Sequence, residues 1–351
     1  MGTRAIEEYD VIVIGGGAAG MMAACIAGTR GKRVLLVEKN AKLGEKLAIS
    51  GGGRCNILNA EEDTRLLLAH FGTAEPFLHS AFATFGMQET REFFESNGLH
   101  LTVEARKRAF PMSENAHDVV DFFRNLLKKH GVVVKRSAPV TEVKRKGSTI
   151  ESIRAGGVMY RAQSYILATG GLSRPETGST GDGFAWLRTL GHTIIDPTPT
   201  IVPLRSKEVW LKDLVGIPLP SAKVSFYTGD VRSFSVSGPL LFTHTGLSGP
   251  VILNSAAKVA DLLHEGPVTA RIDLFPAVDL GVLDRDLRTH FDTSKNRSLR
   301  NSFKAFAPNG MGEALLARIP TIDPETKTHS VTKEQRRELV ELLKGLSISI
   351  S

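Results

Sequence analysis

The sequence predicts an α/β protein whose first half is a parallel sheet wound with helices and whose second half is rich in β-structure. Three observations carry this expectation. The strand-like run Tyr9 to Ile14, the cluster Gly15-Gly16-Gly17-Ala18-Ala19-Gly20 and the strand-like Val34-Leu35-Leu36-Val37 make a βαβ pattern. Strand and helix patterns then alternate as far as Ala168. Beyond about residue 196 the texture changes to alternating polar and apolar strands joined by short turns.

Each element has a local cause. Gly15, Gly17 and Gly20 follow the first strand in the spacing G-x-G-x-x-G, before the helix-forming run Met21 to Ala27. The first glycine permits a tight turn, the second lets backbone approach a pyrophosphate, and the third lets helix and strand pack closely. The helix N-terminus, at Ala18 and Ala19, offers N–H donors and the positive end of its dipole to phosphates. Glu38 closes the second strand about 20 residues on, where an acid accepts hydrogen bonds from a ribose 2′-OH and repels a 2′-phosphate. A bare glycine triplet is an ordinary turn. Between this strand, helix and acid it marks a bound dinucleotide.

Ser50-Gly51-Gly52-Gly53 is a glycine-rich loop, and helical patterns follow at Thr64 to His70, Phe77 to Phe85 and Met87 to Asn97, the last closed by Gly98. Ser113 precedes an amphipathic helix that runs to Lys129 with Gly131 as its stop, and Val132-Val133-Val134 reads as a buried strand. Three short β-runs broken at Gly147-Ser148 and Gly156-Gly157 read as a meander, and Tyr165 to Ala168 as a further strand that delivers Thr169-Gly170-Gly171 into a turn. Asp196-Pro197-Thr198-Pro199-Thr200 reads as a linker. Ala222 to Tyr227 pairs across Thr228-Gly229-Asp230 with Val231 to Val236. The clearest later helix starts at Thr332, with Gln335 completing a capping box and Gly345 beyond its end. Leu346 to Ser351 looks like the opening of a strand.

The 351 residues suffice for two cores, and the hydrophobic fraction of 42% is that of a globular protein. The uncharged run Val11 to Gly28 is neither a membrane span nor a signal peptide. Its glycines break a spanning helix, and Glu7, Glu8 and Asp10 stand where a signal peptide carries positive charge. A soluble, cytoplasmic protein without a membrane partner is expected. Cys25 and Cys55 are too few for a disulfide framework, and Cys25 falls on the buried face of the first helix. The net charge of +7 gathers at Arg106-Lys107-Arg108, Lys128-Lys129-His130, Lys135-Arg136 and Lys144-Arg145-Lys146. Singly these are solvated turns and helix ends; together they leave room for an RNA partner.

Lys42-Leu43-Gly44-Glu45-Lys46-Leu47 runs into Ser50-Gly51-Gly52-Gly53-Arg54-Cys55-Asn56, and Ala109-Phe110-Pro111-Met112-Ser113 follows. Ala168-Thr169-Gly170-Gly171 then leads to Thr177-Gly178-Ser179-Thr180-Gly181-Asp182-Gly183, and Leu241-Phe242-Thr243-His244-Thr245-Gly246-Leu247-Ser248-Gly249-Pro250 comes last. In content and order these motifs resemble the HI0933-like flavoprotein family, which includes aminoacetone oxidase-like and bile-acid enone reductase-like enzymes and a ribosomal-RNA dihydrouridine synthase. The resemblance implies FAD as cofactor and a Rossmann-like FAD-binding domain of the glutathione-reductase type over residues 1–196. It implies an inserted β-rich domain over 197–345 that caps the flavin. Residues 346–351 would begin a strand returning to the first domain, and the chain is expected to lack the family's further flavin-contacting segments and to hold FAD weakly. Leu58 stands where the family usually has threonine, and Arg174 where it has an aromatic.

Residue chemistry agrees with FAD over NAD. A permanently held dinucleotide needs contacts along its whole length, and the Ser50 to Gly53 loop can lay backbone N–H groups along the far half with no side chains to keep a flat ring away. Thr169-Gly170-Gly171 points to the same carboxyl edge of the sheet. The expected cofactor-binding set is Gly15, Gly17, Ala18, Ala19, Gly20, Glu38, Lys39, Lys46, Ser50, Gly51, Gly52, Gly53, Arg54, Asn56, Thr169, Gly170 and Gly171. Arg54 reads either as a charge offsetting the reduced flavin or phosphates, or as a salt-bridged loop anchor. Cys55 reads as a proton donor beside the flavin or as a small buried packing residue, and His244 as a proton shuttle or the pin of a turn. Asp182 reads as a helix cap rather than a catalytic acid. The expected activity is hydride transfer between flavin and a small conjugated or amine substrate, with NAD(P)H as an electron donor. The alternatives are reduction of a uridine in ribosomal RNA and nucleotide binding without turnover.

Overall fold

The computed structural model describes residues 6–147, 149–308 and 310–351. They divide between Pro197 and Thr198 into two compact units.

In the first unit, β1 (Glu7–Ile14), α1 (Ala18–Thr29) and β2 (Val34–Val37) form the βαβ element, with Val11 opposite Val34 and Ile14 opposite Val37. Next come α2 (Glu45–Ile49), a small antiparallel sheet of β3 (Leu58–Asn59), β4 (Leu101–Glu104) and β5 (Arg108–Pro111), and the helices α3 (Thr64–Ala69), α4 (Glu75–Thr84), α5 (Met87–Ser96) and α6 (Ala116–Lys129). β6 (Val133–Lys135), β7 (Val140–Lys146), β8 (Thr149–Ala155) and β9 (Val158–Leu167) complete a six-stranded sheet of order β6-β2-β1-β9-β8-β7, and α7 (Asp182–Thr189) follows it. β6, β2, β1 and β9 run parallel, whereas β8 and β7 fold back antiparallel. β2 and the last four residues of β1, Val11 to Ile14, are continuously apolar because both faces of the sheet are covered there. Val13 and Leu36 pack with Met21, Ala24 and Phe123 of α1 and α6, while Ile12, Ile14 and Leu35 pack with Ile153 and Tyr160 of the meander.

Three local expectations change. Tyr165 to Ala168 is not a separate strand: β9 is ten residues long, pairing with β8 over Val158 to Tyr160 and with β1 from Tyr160 to Leu167, where Leu167 lies opposite Ile14. β6 is an edge strand, so Val133 is exposed and only the preceding Val132 is buried. α6 begins after Asn115, whose side chain accepts from His117 N at 3.0 Å, rather than at Ser113.

The second unit is built on a second six-stranded sheet. Its strands are β10 (Leu204–Arg205), β11 (Pro218–Thr228), β12 (Val231–Thr243), β13 (Gly246–Ser248), β14 (Val268–Asp273) and β15 (Leu346–Ile350), in the order β10-β13-β12-β11-β14-β15 and antiparallel throughout. The two edges meet, because Ser351 N donates to Arg205 O at 2.9 Å and Ser349 N to Glu208 Oε1 at 3.0 Å. Helices α8 (Pro250–Leu253), α9 (Ala256–Glu265), α10 (Leu280–Thr293), α11 (Leu299–Phe306), α12 (Gly312–Leu316) and α13 (Lys333–Lys344) share one core with the inward face, which holds Val224, Phe226, Phe242, Ala270, Ile272 and Ile348. Thr332 and Gln335 cap α13 reciprocally.

The expected return of Leu346 to Ser351 to the first domain is overturned. β15 pairs with β14, from Leu346 opposite Ile272 to Ile350 opposite Val268. The physical reason is its alternation: Leu346, Ile348 and Ile350 are buried while Ser347 and Ser349 are exposed. That pattern suits a sheet with one wet face, not a parallel strand buried on both.

Candidate cofactor-binding site

A cleft of about 630 Å³ opens at the carboxyl ends of β1, β2 and β9, within the volume range of cofactor sites. Its floor is the turn from β1 into α1. Gly17 caps α1 with no side-chain hydrogen bond, and Ala18 and Ala19 are exposed, so the first N–H groups of the helix face the cleft as unused anion donors.

The glycines of the turn answer to different neighbours. A Cβ on Gly20 would sit 1.8 Å from Gly15 O, and one on Gly15, where φ is +108°, would sit 2.4 Å from Ala168 O. At Gly17 no heavy atom lies within 4 Å of the corresponding point. The chain itself leaves that space empty, directly over the helix N-terminus, and a pyrophosphate fits it.

Glu38 follows β2 and is buried at the cleft wall. Its Oε2 accepts from Gly16 N at 2.6 Å and its Oε1 from Asn40 N at 2.7 Å. Each oxygen keeps a lone pair for a ribose hydroxyl. Beside it, Lys39 Nζ donates to Thr180 Oγ1 at 2.6 Å and pairs with Asp182 Oδ2 at 2.8 Å, which holds the Asp182 carboxyl below its usual range. Gly181 is the α7 cap, so Asp182 sits one residue inside the helix rather than capping it. Lys46 Nζ donates to Ser173 O at 2.5 Å and Ser179 Oγ at 2.6 Å. These bonds stitch the segment after β2 to the turn after β9, across the end of β1 that lies between them.

Several expected residues are placed elsewhere. Gly51, Gly52 and Gly53 all have positive φ (56°, 70° and 85°) and form a tight exposed turn that does not line the cleft. Their left-handed backbone turns the chain so that Ser50, Cys55 and Asn56 line it instead. Arg54 also points away. It forms ion pairs with Glu104 and with Glu114 at 2.9 Å and lies 4.2 Å from the centre of the Phe110 ring, which is the loop-anchor reading. Thr169 and Gly170 line the cleft and Gly171 does not, while Gly20 packs beneath it. Cys55 is buried with φ +60°, and burial pushes its thiol up despite an opposing hydrogen bond with Ser50. His244 belongs to the second unit, on an exposed turn between β12 and β13, and its ring makes no hydrogen bond among the described residues. Gly16, Asn40, Thr177, Ser179 and Trp186 line the cleft without having been assigned there. Thr177 and Ser179 lie inside a quoted motif, which was the available signal, whereas the isolated Trp186 carried none.

No helix of the described residues is long and apolar enough to cross a membrane. The family profile described as HI0933-like protein Rossmann domain matches residues 9–308. The chain is 29% identical over 322 residues to the ribosomal RNA dihydrouridine synthase of Escherichia coli, covering 90% of this chain and 76% of that one. It is 30% identical over 284 residues to the 3-dehydro-bile acid delta(4,6)-reductase of Clostridium scindens, covering 80% and 68%. Among solved structures, the 3-ketosteroid-delta4-(5alpha)-dehydrogenase of Rhodococcus jostii is similar in fold, with a TM-score of 0.50 at 14% identity over 99% of this chain and 84% of that one. The open space over Gly17 at the α1 N-terminus, the buried Glu38 carboxylate and this profile converge: the chain belongs to the HI0933-like family, FAD-dependent oxidoreductases with a Rossmann-like cofactor domain.

Proposed function

We propose that the protein reduces a carbon–carbon double bond in a small conjugated substrate, drawing electrons from NAD(P)H. When bound, FAD supplies hydride chemistry at a flat ring, which no side chain of the cleft can supply. The chain's own residues do the rest. The α1 N-terminus at Gly17, Ala18 and Ala19 would hold the pyrophosphate, and Glu38 the ribose. Cys55 would keep its proton on Sγ at neutral pH because burial disfavours the thiolate, leaving it able to protonate the carbon opposite the hydride. The names of the two relatives, each a saturation of a double bond, support a reductase over an oxidase.

The observation that carries this reading is the empty cradle over Gly17 at the end of β1. The test is titration of the intact chain with FAD, followed by NADPH under anaerobic conditions. Saturable FAD binding and bleaching of the visible flavin band are expected. Binding of NAD in place of FAD would overturn the cofactor assignment, and a bleached flavin that no conjugated enone re-oxidises would overturn the reductase.

A second reading, reduction of uridine in ribosomal RNA, is favoured by the exposed run Lys144-Arg145-Lys146 on β7 and by the relative's name. In that case affinity for an rRNA fragment falls steeply with salt, and neutralising these three residues flattens the slope. Salt-insensitive turnover of a small molecule, with no RNA retained at low salt, would remove it.

A further inference from the structure

We propose that Glu104, at the end of β4, is a positioning residue for the Cys55 thiol: through Arg54 it locks the backbone that carries Cys55 into the cleft wall. Neither Glu104 nor Arg54 lines the cleft, whereas Cys55 does.

The backbone of Cys55 needs a lock. Gly51, Gly52 and Gly53 reach the left-handed region as glycines, but at residue 55 the same region, with φ +60°, carries a side chain. A Cβ in that conformation crowds its own backbone, so it persists only where the surroundings over-determine it. Arg106 (φ +64°), Lys107 (φ +56°) and Glu114 (φ +55°) are left-handed in the same corner, in the turn between β4 and β5 and just after β5. Strain that a glycine would relieve, kept at a cysteine in a cofactor cleft, points to a use for the thiol.

Cys55 is tied to the small antiparallel sheet from both sides. After it, Ile57 N donates to Ala109 O at 2.8 Å, and the Asn56 amide, its NH2 turned toward the sheet, donates to Ala109 O at 3.1 Å and Leu58 O at 3.2 Å. Before it, the bond from Cys55 N to Ser50 O stays within the loop, so among the described residues the polar ties to the sheet all come from the Arg54 side chain. That guanidinium packs on Phe110 of β5 and forks onto Glu104, Nη2 donating to Oε1 and Nη1 to Oε2 at 3.4 Å. Its second partner, Glu114, has a side chain 59% exposed against 29% for Glu104, so solvent weakens that pair more and Glu104 carries the tie. The hydrogen bond from Arg54, with the charge of Arg108, holds the Glu104 carboxyl below its usual range, and the lock is ionised at neutral pH.

The test is alkylation of the full chain with iodoacetamide in the absence of FAD, each cysteine being read by peptide mass. Cys25 is buried in the same core cluster as Cys55 and reports any general loosening. Glu104→Gln should speed labelling of Cys55 about tenfold with Cys25 unchanged. Arg54→Lys, which keeps the charge and loses the fork, should do the same, and Glu104→Asp, which keeps the carboxylate, should label as slowly as wild type. In turnover of a conjugated enone, Glu104→Gln should lower kcat about 100-fold at unchanged KM and FAD affinity. The proposal is overturned if Cys55 labels no faster in Glu104→Gln, or if Cys25 labels in step with it, because Glu104 would then serve stability alone. It is overturned equally if kcat holds in Glu104→Gln while Cys55→Ala is slow. The turnover arm rests on the reductase reading and the labelling arm does not: a Cys55→Ala enzyme as fast as wild type would strike the proton donor, and labelling alone would then decide the role of Glu104.

Discussion

Gly17 and Gly20 stand three positions apart in one motif and answer to different masters. Gly20 is fixed by the protein, since a Cβ there would enter the Gly15 carbonyl, whereas Gly17 has an ordinary φ of −78° and open space around it. The two constraints separate experimentally. Gly17→Asp supplies a good helix cap and should leave stability unchanged or raised by a few tenths of a kcal/mol. Its carboxylate would occupy the cradle and repel the pyrophosphate, so FAD affinity should fall at least ~100-fold, about 2.7 kcal/mol. Gly20→Ala should instead cost about 3 kcal/mol of stability by overpacking. Thermal melts without FAD, beside FAD titrations, check both; an unstable Gly17→Asp that still binds FAD would reverse the assignment. Residues of this kind are legible in sequence because the turn is local. Arg54 is not, because its partners Glu104 and Glu114 lie 50 and 60 residues away and no motif announces them.

The same distinction holds for elements. The β11–β12 hairpin and the capped helix α13 are read correctly from sequence because their signals, a turn and a capping box, lie within a few residues. β9 is misread as two strands because the exposed polar pair Gln163-Ser164 interrupts its apolar pattern, although its pairing with β1 runs unbroken in direction from Tyr160 to Leu167. The closure of the second sheet was invisible for a further reason: it depends on Glu208, an unremarkable acid in sequence. Glu208 Oε1 accepts from Ser349 N of β15, and Oε2 bonds Trp210 Nε1. Burial alone would push its carboxyl up, but these hydrogen bonds and nearby Arg318 outweigh it and hold the carboxyl below its usual range. The folded pKa is thus depressed relative to the unfolded value of about 4.3. The corresponding stability is fully present above that pH and is lost as pH falls through the folded value. Glu208→Ala should cost about 2 kcal/mol at neutral pH, and the difference from wild type should shrink on acidification. Urea melts across pH would check this; a difference that grows toward acid pH would contradict it.

At the scale of the whole chain, the fold class was legible because hydrophobic periodicity reports which faces are covered, whereas the allegiance of the last strand was not, because five residues carry too little pattern to name a partner sheet. The structure assigns them to the second unit, and their removal tests the assignment. Leu346, Ile348 and Ile350 are 1%, 0% and 6% exposed. At roughly 1.5–3 kcal/mol for each buried side chain, their loss is comparable to the 5–15 kcal/mol that stabilises a typical domain. It would also leave the full length of β14 as an unpaired edge. Deleting residues 346–351 should therefore make the region from Thr198 onward protease-sensitive. FAD binding should persist, since every residue lining the cleft lies between Ile14 and Trp186. Limited proteolysis and FAD titration of the shortened chain separate the two allegiances. A chain that loses FAD while its second unit stays protease-resistant would place the strand in the first domain after all.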